Sequence, residues 1–538
     1  MAMGKERLPA IIRPFQRHVN AIVPSMSQVP PPLASLLLTT YPQMFNDRVR
    51  SYESTHLGSP STPQNISPGE RKFVIVLPVD DSSPDLCKVI SSAVALGYPA
   101  PVIVNWNRDF HTDAEGIGPS QLGKITGTLN YLEWATSKDA SGQDRLGDDD
   151  LVLMLDAHDI WLQLPPSVLL QRYYSSNERA NKRLADEYGF FNKDLMEQTI
   201  IVAAQKGCIA PRDKVSNLYC NDLPDSTLPP DVFGFLTDYK IGKFRFMRPK
   251  FVNSGSFMGP AGDMRRYFQR VKDRMDQDLL EITSKDDLGG DQGIFAEVFG
   301  EQELWRQQVQ EHDFTDDNPG KKASISSRDE FEYHLGLDYT QELFYPTCYS
   351  ENGGYFVPLG DPEALATISR EQGVSPPRIE GVPADVNAAV GPFSKLVDGP
   401  DAGRSWGEMP LYVDFWTTST PVAIHHNAWK NGLKSRRKTW WDKTWYFPHL
   451  RQLLEAQTHA NETAPLLTLE ADQGKLQVWP YGARVEGRAA LLFGKSKKTK
   501  AWELRATDWD TVCRSRNEAD EAASHWYDEV FRDGKGPF

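Results

Sequence analysis

The sequence contains little cysteine, with five residues in a chain of 538. The cysteines are scattered, and none has the C-x-x-C spacing of structural zinc sites, so a disulfide scaffold and a zinc module are both excluded. Cys208 and Cys220 flank a short loop, residues 209–219. This arrangement favours a disulfide and a pair of buried thiols about equally.

Long apolar runs and an excess of positive charge are also missing. The longest uncharged apolar stretch near the N-terminus, residues 33–38, is far shorter than the roughly 20 residues of a membrane-spanning helix. Lys5 and Arg7 are followed by Pro9 and not by an apolar run, so this region does not resemble a secretory signal. Lys and Arg total 59 against 73 Asp and Glu, a net charge of -14. This balance excludes general binding to nucleic acid or to anionic lipid.

The pattern along the chain predicts an irregular N-terminal arm over residues 1–70, rich in Pro and Ser. From Lys72 onward, buried apolar strands such as Phe73–Val79 alternate with helices, one of which is expected to begin at Ser83. This alternation over residues 71–450 predicts an α/β fold with a Rossmann-like, mostly parallel sheet flanked by helices. Residues 360–410 read as a surface loop excursion, and residues 451–538 as a C-terminal appendage without a recognisable motif.

Two carboxylates follow one of the predicted strands. Leu151–Leu155 is apolar and runs directly into Asp156 and Asp159. In an extended strand, side chains three residues apart point to opposite faces, so these two converge only if the strand ends and the chain turns. Ligands bind at the carboxyl ends of parallel strands, and paired carboxylates there suit Mg²⁺ or Mn²⁺. For an isolated D-x-x-D, however, a helix cap or an Asx-turn is the commoner explanation.

Three further segments carry polar residues next to apolar strands or helices. His425 and His426 end an apolar strand and indicate either a metal ligand or a packed pair. Residues 253–255, with the sequence Asn-Ser-Gly, indicate either a ligand-approaching backbone or a tight turn. Asp291 opens an apolar helix, either as its cap or as a carboxylate that faces a substrate.

The set of motifs, in this order, resembles the metal-dependent GT-A glycosyltransferases, above all the glycosyltransferase domain of collagen lysyl hydroxylases and the related procollagen galactosyltransferases. The resemblance covers roughly residues 72–440. It rests on the D-x-x-D and N-S-G motifs, on a D-Q helix start, on an L-D segment at Leu337, on the strand that ends in Gln205-Lys206, and on an H-x-N stretch at His425. The family's H-x-N-G becomes H-x-N-A here, because Ala428 replaces the glycine.

The resemblance implies a transferase that uses Mn²⁺ or another divalent cation and a UDP-sugar, UDP-galactose or UDP-glucose, with a protein or glycan hydroxyl as acceptor. It implies metal ligands at Asp156, Asp159 and His425, and catalytic roles for Asp291 and Gln292. The residues implied to bind the donor are Val79, Asp80, Lys124, Asp156, Asn253, Ser254, Gly255, Asn427, Lys430 and Lys434. The family works in the lumen of the secretory pathway, in the Golgi or the endoplasmic reticulum. Nothing in the sequence bears on the oligomeric state.

Two other functions remain open at this point. The altered H-x-N-A stretch is compatible with a protein that binds a nucleotide or a glycan without turnover. A metal phosphoesterase would use the same carboxylates, but would leave the N-S-G and D-Q segments unexplained.

Overall fold

The structure is a computed structural model, which describes residues 66–108, 120–188, 196–208, 218–239, 244–281, 290–311, 331–396, 399–427, 435–458, 464–471, 474–482, 487–515 and 525–538. The chain divides into two units, Met1–Gly58 and Ser59–Phe538. The first unit lies outside the described residues, as does nearly all of the predicted N-terminal arm. All of the described residues belong to the second unit.

Strands and helices alternate through most of this unit. The strands are β1 (Gly69–Pro78), β2 (Val102–Val104), β3 (Leu151–Leu155), β4 (Ile160–Leu162), β5 (Ile200–Gln205), β6 (Phe251–Pro260), β7 (Leu335–Asp338), β8 (Phe344–Pro346), β9 (Gly354–Pro358), β10 (Pro410–Asp414), β11 (Ala423–His425), β12 (Leu467–Ala471), β13 (Gly474–Pro480), β14 (Arg488–Lys495) and β15 (Trp502–Asp508). The helices are α1 (Pro84–Ala95), α2 (Gly123–Ala135), α3 (Pro166–Tyr188), α4 (Ala261–Glu281), α5 (Asp291–Glu311), α6 (Pro362–Glu371), α7 (Ala384–Ala388), α8 (Arg436–Thr439), α9 (Leu450–Thr458), α10 (Trp509–Cys513) and α11 (Trp526–Val530).

The first helix shows how local sequence sets an element. The Ser83 side chain accepts a hydrogen bond from the backbone N–H of Leu86, and Pro84 occupies the first helical position, where its missing N–H costs nothing. Past the end of the helix, Gly97 has a φ of +91°, a conformation that suits glycine. The predicted start of α1 is therefore confirmed.

Ten strands form one large sheet, in the order β15-β14-β2-β1-β3-β6-β5-β7, with β13 also paired to β1 and β12 to β13. Successive residues of β1 face opposite sides of it. Phe73 and Ile75 pack into one apolar core, and Val74 and Val76 pack into the other. The sheet is therefore buried on both faces, as the continuous apolar run of β1 predicts.

The sheet is mixed: five of its strand pairs are parallel and four are antiparallel, so the prediction of a mostly parallel sheet holds only in part. β6 runs antiparallel to both of its neighbours, β3 and β5. The described residues between β5 and β6 contain only the short 3₁₀ turns Gly234–Leu236 and Phe244–Phe246. No crossover helix occurs among these described residues. The chain re-enters beside the end of β5, where Lys250 N donates to Gln205 O at 3.2 Å, and β6 then runs antiparallel to β5.

The C-terminal residues complete this sheet and are not a separate appendage. β13 pairs in parallel with the first half of β1, and β14 pairs in parallel with β2. The disulfide Cys87–Cys513 links α1 to α10, across a sequence separation of 426 residues. Because β2 is only three residues long, it leaves the first half of β1 open for β13.

Residues 360–410 also differ from the predicted surface loop. This region contains α6 and α7, and Leu365, Val386 and Trp406 are buried in the main core. Its Pro and Gly residues separate short helices that pack against the core. Across the described part of the chain, no helix combines the length and apolar character needed to cross a membrane.

Candidate metal centre

The candidate site lies where β1 and β3 end side by side. The two strands are parallel, with Val76 opposite Met154, so Val79 and Asp80 follow β1 at the level where Asp156 follows β3. The backbone N–H of Asp156 donates to Gly255 O at 2.8 Å, which ties the strand end to β6. The predicted strand end and its first carboxylate therefore lie at the carboxyl edge of the sheet.

A turn after β3 brings the second carboxylate back toward the first. Residue 160 begins β4, which pairs antiparallel with β11 so that Ile160 lies opposite His425. The backbone N–H of His426 donates to Asp159 O at 2.7 Å and fixes the turn against β11. His425 Nε2 consequently lies 3.1 Å from Asp159 Oδ1 and 3.6 Å from Asp156 Oδ2. The ligand atoms of these three residues all lie within 4.8 Å of one another.

The hydrogen bonds behind His425 determine which ring nitrogen carries the proton. The backbone N–H of Gly255 donates to Asn253 Oδ1 at 3.1 Å, and this fixes the orientation of the Asn253 amide. The same oxygen lies 3.0 Å from His425 Nδ1. Since an amide oxygen only accepts, Nδ1 must donate, and the neutral ring then turns the Nε2 lone pair toward the two carboxylates.

Three electron-pair donors therefore face one another without a proton between them, unless the imidazole is charged. Two carboxylates and an imidazole are ligand types that suit Mn²⁺ and similar divalent ions. The hydrogen bond behind a ligating histidine is the usual device that fixes its orientation. Asp156, Asp159 and His425 could therefore hold a metal ion, and their chemistry fits one.

Gly255 leaves room for the imidazole. A Cβ at this position would lie 2.5 Å from His425 Nδ1, closer than real side chains approach, and it would make a tight contact of 3.0 Å with Asn253 Oδ1. The glycine of the N-S-G motif is thus needed for the close approach of β6 to His425. The motif is part of β6 and does not form the tight turn that was its alternative interpretation.

Lys124 lies between two carboxylates at the edge of the metal centre. Its Nζ is 2.6 Å from Asp156 Oδ1 and 2.7 Å from Asp291 Oδ2, and it donates to Ser254 O at 3.0 Å. Burial lowers the pKa of Lys124, but the two carboxylates outweigh it and the net pKa is raised. The lysine therefore remains charged and supplies one positive charge between the Asp156 and Asp291 carboxylates.

The two metal-facing carboxylates differ in basicity. Burial raises the pKa of Asp156 above its ordinary value, against the opposing effect of Lys124 and His425. Burial also acts to raise the pKa of Asp159, but His425 and Arg437 outweigh it and the net pKa is lowered. Asp159 is thus held in the anionic form that a metal ion requires.

The Asx-turn and helix-cap alternatives do not hold for the D-x-x-D motif. Neither carboxylate accepts a hydrogen bond from a backbone N–H of a described residue.

Of the two adjacent histidines, only His425 faces the carboxylates. His426 is fully buried, its ring centroid lies 4.1 Å from that of Trp161, and burial lowers its pKa to about 3. The packed interpretation is therefore correct for His426 alone.

The other predicted residues are distributed unevenly. Asp291 is the first residue of α5, and Gln292 accepts from Asn253 Nδ2 at 3.3 Å, so both adjoin the site. Asn427 turns away, because its Oδ1 accepts from the backbone N–H of Cys348 at 3.0 Å. Lys430 and Lys434 lie outside the described residues.

Two contributors were missed at the sequence level. Gln205 Oε1 accepts from Asn253 Nδ2 at 3.0 Å and supports the amide that orients His425. Arg437 Nη1 lies 3.1 Å from Asp85 Oδ2 and reaches the backbone O of His158 inside the D-x-x-D turn. Gln205 ends a buried strand and could have been found by the same rule as Asp156. Arg437 carries no local signal, because only tertiary packing brings it to the turn.

Cys208 and Cys220 form a disulfide, which decides between the two alternatives left open by their spacing.

No protein-family model matches the chain, and no curated protein matches it significantly. The site geometry must therefore carry any functional conclusion.

Proposed function

We propose that the protein is a metal-dependent hexosyltransferase with a GT-A fold, which moves galactose or glucose from a UDP-sugar to a hydroxyl of a protein or glycan. The observation that carries this proposal is the convergence of Asp156, Asp159 and the Nε2 lone pair of His425 at the carboxyl edge of an α/β sheet. Lys124 adjoins the cluster and would place a positive charge beside a diphosphate, and it is itself paired with Asp291.

Each residue has a task that follows from its contacts. Asp156 Oδ2, Asp159 and His425 Nε2 would hold the cation, which when bound neutralises the negative charge that grows on the leaving diphosphate. Asn253 holds the imidazole with its lone pair turned toward the cluster. Lys124 Nζ is paired with Asp156 Oδ1, so Oδ2 of that carboxylate stays available to bind a cation.

Asp291 is the residue placed to act on the acceptor. Only 7% of it is exposed, and its Oδ2 is paired with Lys124, while its Oδ1 accepts no hydrogen bond from a described residue. A carboxylate oxygen left open in this way can orient an incoming hydroxyl or accept its proton. Gln292, the next residue, adds an amide beside it.

Two disulfides support the location that we propose, the lumen of the secretory pathway. Cys87–Cys513 and Cys208–Cys220 together use four of the five cysteines. Disulfides persist in oxidising compartments and are rare in the cytosol of most organisms.

The test is release of UDP from UDP-galactose and UDP-glucose with Mn²⁺ present. Asp156→Ala and Asp159→Ala are expected to lower the rate at least about a hundredfold, since a catalytic metal contributes several kcal/mol. Asp149→Ala is the matched control. It removes the same charge from a largely exposed residue that precedes β3 instead of following it, and we expect an unchanged rate.

The other outcomes identify the alternative functions. Binding of UDP and Mn²⁺ without release of UDP from any donor would indicate a binding protein and not a transferase. Hydrolysis of simple phosphate esters without a preference for uridine would indicate a phosphoesterase.

A further inference from the structure

Two side chains from other parts of the chain hold the D-x-x-D turn at His158, between the two carboxylates of the metal centre. The Ser83 hydroxyl lies 3.3 Å from His158 Nδ1. Arg437 Nη1 donates to the backbone O of His158 at 3.4 Å and pairs with Asp85 Oδ2 at 3.1 Å. The path of the turn, and with it the position of Asp159, therefore depends on where Ser83 and Arg437 are held.

The C-terminal segment, residues 509–515 and 525–538, holds the first of these side chains. The backbone N–H of Ser83 donates to Val512 O, on α10, at 3.2 Å. The next residue, Cys513, forms the disulfide with Cys87 on α1. α10 is therefore fixed to the start of α1, from which the Ser83 hydroxyl reaches His158.

The C-terminal segment holds the second side chain through a buried lysine on α1. Lys88 is fully buried, and its Nζ lies 2.5 Å from Glu529 Oε1 on α11 and 3.2 Å from Asp85 Oδ1. The same ammonium donates to the backbone O of Arg437 at 3.0 Å. Because a buried ammonium is strongly disfavoured without such partners, these contacts fix one another. Lys88 thus joins α1, α8 and α11 at one point.

The helix that carries Arg437 has further contacts with the same segment. α8 has four residues, so its position must come from tertiary contacts and not from its own helical bonds. Arg532 Nη2 donates to Lys438 O at 2.6 Å, and Trp441 Nε1 donates to Val530 O at 2.8 Å. α11 and the residues that follow it therefore determine where α8 and Arg437 lie.

We propose that the C-terminal segment positions the D-x-x-D turn for metal binding, and that Arg437 is the positioning residue through which α11 acts. Arg437 acts through the peptide of His158, since a guanidinium does not ligate a metal ion. Metal affinity depends on how firmly the ligands are held in place before the ion binds. The proposal rests on the proposed function in taking Asp156, Asp159 and His425 as ligands, but it does not depend on the donor or on the reaction.

The first experiment is calorimetric titration of Mn²⁺ into folded variants. Arg437→Met should lower the affinity at least about fivefold, since contacts that act directly on a ligand contribute about 10–100-fold. Arg437→Lys should bind within about threefold of the wild type, because both contacts of Arg437 come from Nη1 and one ammonium can make both. Arg270→Met is the matched control. The Arg270 side chain is 23% exposed against 26% for Arg437, and it pairs with Glu301 instead, so its loss should leave the affinity unchanged.

Glu529→Gln tests the path from the C-terminal segment. It removes the charge that pairs with Lys88 on α11, and it should lower Mn²⁺ affinity at least about threefold. If Glu529 acts through Arg437, the variant that combines Glu529→Gln with Arg437→Met should bind no more weakly than Arg437→Met alone. Losses that multiply would show that α11 reaches the metal centre by another route, and would overturn the role of Arg437.

Hydrogen exchange without metal separates this proposal from the proposed function. The backbone N–H of His426 donates to Asp159 O, so its protection reports on the turn. Peptides covering residues 156–160 and 423–427 should exchange faster in Arg437→Met than in the wild type or in Arg270→Met.

Two results would overturn the proposal: an unchanged Mn²⁺ affinity in Arg437→Met, or an equal loss in Arg270→Met. Because the Arg437 side chain is about one-quarter exposed, the variant is expected to fold, and a thermal melt checks this. If the wild type binds no Mn²⁺, the metal centre of the proposed function fails. Exchange then decides alone, and unchanged exchange in Arg437→Met would show that the C-terminal segment does not position the turn.

Discussion

Asn253 is the residue through which the tautomer of His425 can be tested. In Asn253→Leu the acceptor 3.0 Å from His425 Nδ1 is lost, so the ring can rotate or move its proton to Nε2. Outer partners of ligating histidines contribute about 10–100-fold to metal affinity. This corresponds to about 1.4–2.7 kcal/mol, and we expect a loss of Mn²⁺ affinity in that range.

The same substitution also removes ordinary hydrogen bonds, so its effect on folding must be separated from its effect on the metal. Asn253 bonds Gln205, Gln292 and Gly255, and losing these contacts should cost about 2–4 kcal/mol of unfolding free energy at about 1 kcal/mol each. Asn177→Leu is the matched control. Asn177 is a buried asparagine on α3, and it forms hydrogen bonds with Thr199 O and Gln198 Nε2. Neither bond involves a residue of the metal centre, so the substitution should lower the stability of the fold without changing metal affinity.

Calorimetric titration of Mn²⁺ into the folded variants decides the question. Asn253→Asp should bind at least as tightly as the wild type, since a carboxylate still accepts from Nδ1 and makes the ring more basic. If folded Asn253→Leu binds Mn²⁺ within threefold of the wild type, the assignment of the proton to Nδ1 is refuted. The same holds if Asn177→Leu loses as much metal affinity as Asn253→Leu.

Two further substitutions give equally direct expectations. Gly255→Ala places a Cβ 2.5 Å from His425 Nδ1 and should weaken Mn²⁺ binding at least about tenfold by displacing the ring. Gly494→Ala is the control, because a Cβ on this strand glycine would lie 3.8 Å from Arg505 Nη2, and it should leave the affinity unchanged. Equal affinities of the two variants in a titration would contradict this expectation. Lys206 has a folded-state pKa of about 8, below its ordinary value, so it destabilises the fold at neutral pH and this penalty fades as pH rises from about 8 to 10.5. Lys206→Met should therefore raise the unfolding free energy at pH 7 by up to about 3 kcal/mol and flatten its pH dependence above pH 8, as measured by denaturant titration; an unchanged profile would show that the lysine is not desolvated.

The site was more predictable from the sequence than the sheet around it. Asp156 follows a strand of the large sheet, and the rule that ligands bind at the carboxyl ends of strands was enough to indicate it. His425 ends β11, which belongs to the separate three-stranded sheet β4-β11-β8, so the family resemblance and not a shared sheet edge indicated that it lies beside Asp156. The direction of β6 could not be inferred in this way. It depends on how the segment before Lys250 returns to the end of β5, and that path is determined by tertiary contacts.

Long-range contacts explain the rest of what the sequence did not indicate. Cys87 and Cys513 carry no spacing signal at a separation of 426 residues. Lys206 follows a strand, as Asp156 does, but it is buried by residues such as Phe233 and Trp416, which reach it from other parts of the chain. A buried charge can be recognised only after its surroundings have been assembled.

The pairing of β1 with β13 affects the order in which the chain can fold during synthesis. At ~5–20 residues per second, a ribosome needs roughly 20–85 s to reach Cys513 after it has made Cys87. Throughout that time the first half of β1 is an open strand edge, of the kind that pairs with other chains. Lys88, fully buried in the finished protein, likewise has no Glu529 to pair with until the last residues appear. An edge that stays open this long is an aggregation hazard for the nascent chain, and removal of β14 and α10 should leave a protein that cannot close its core.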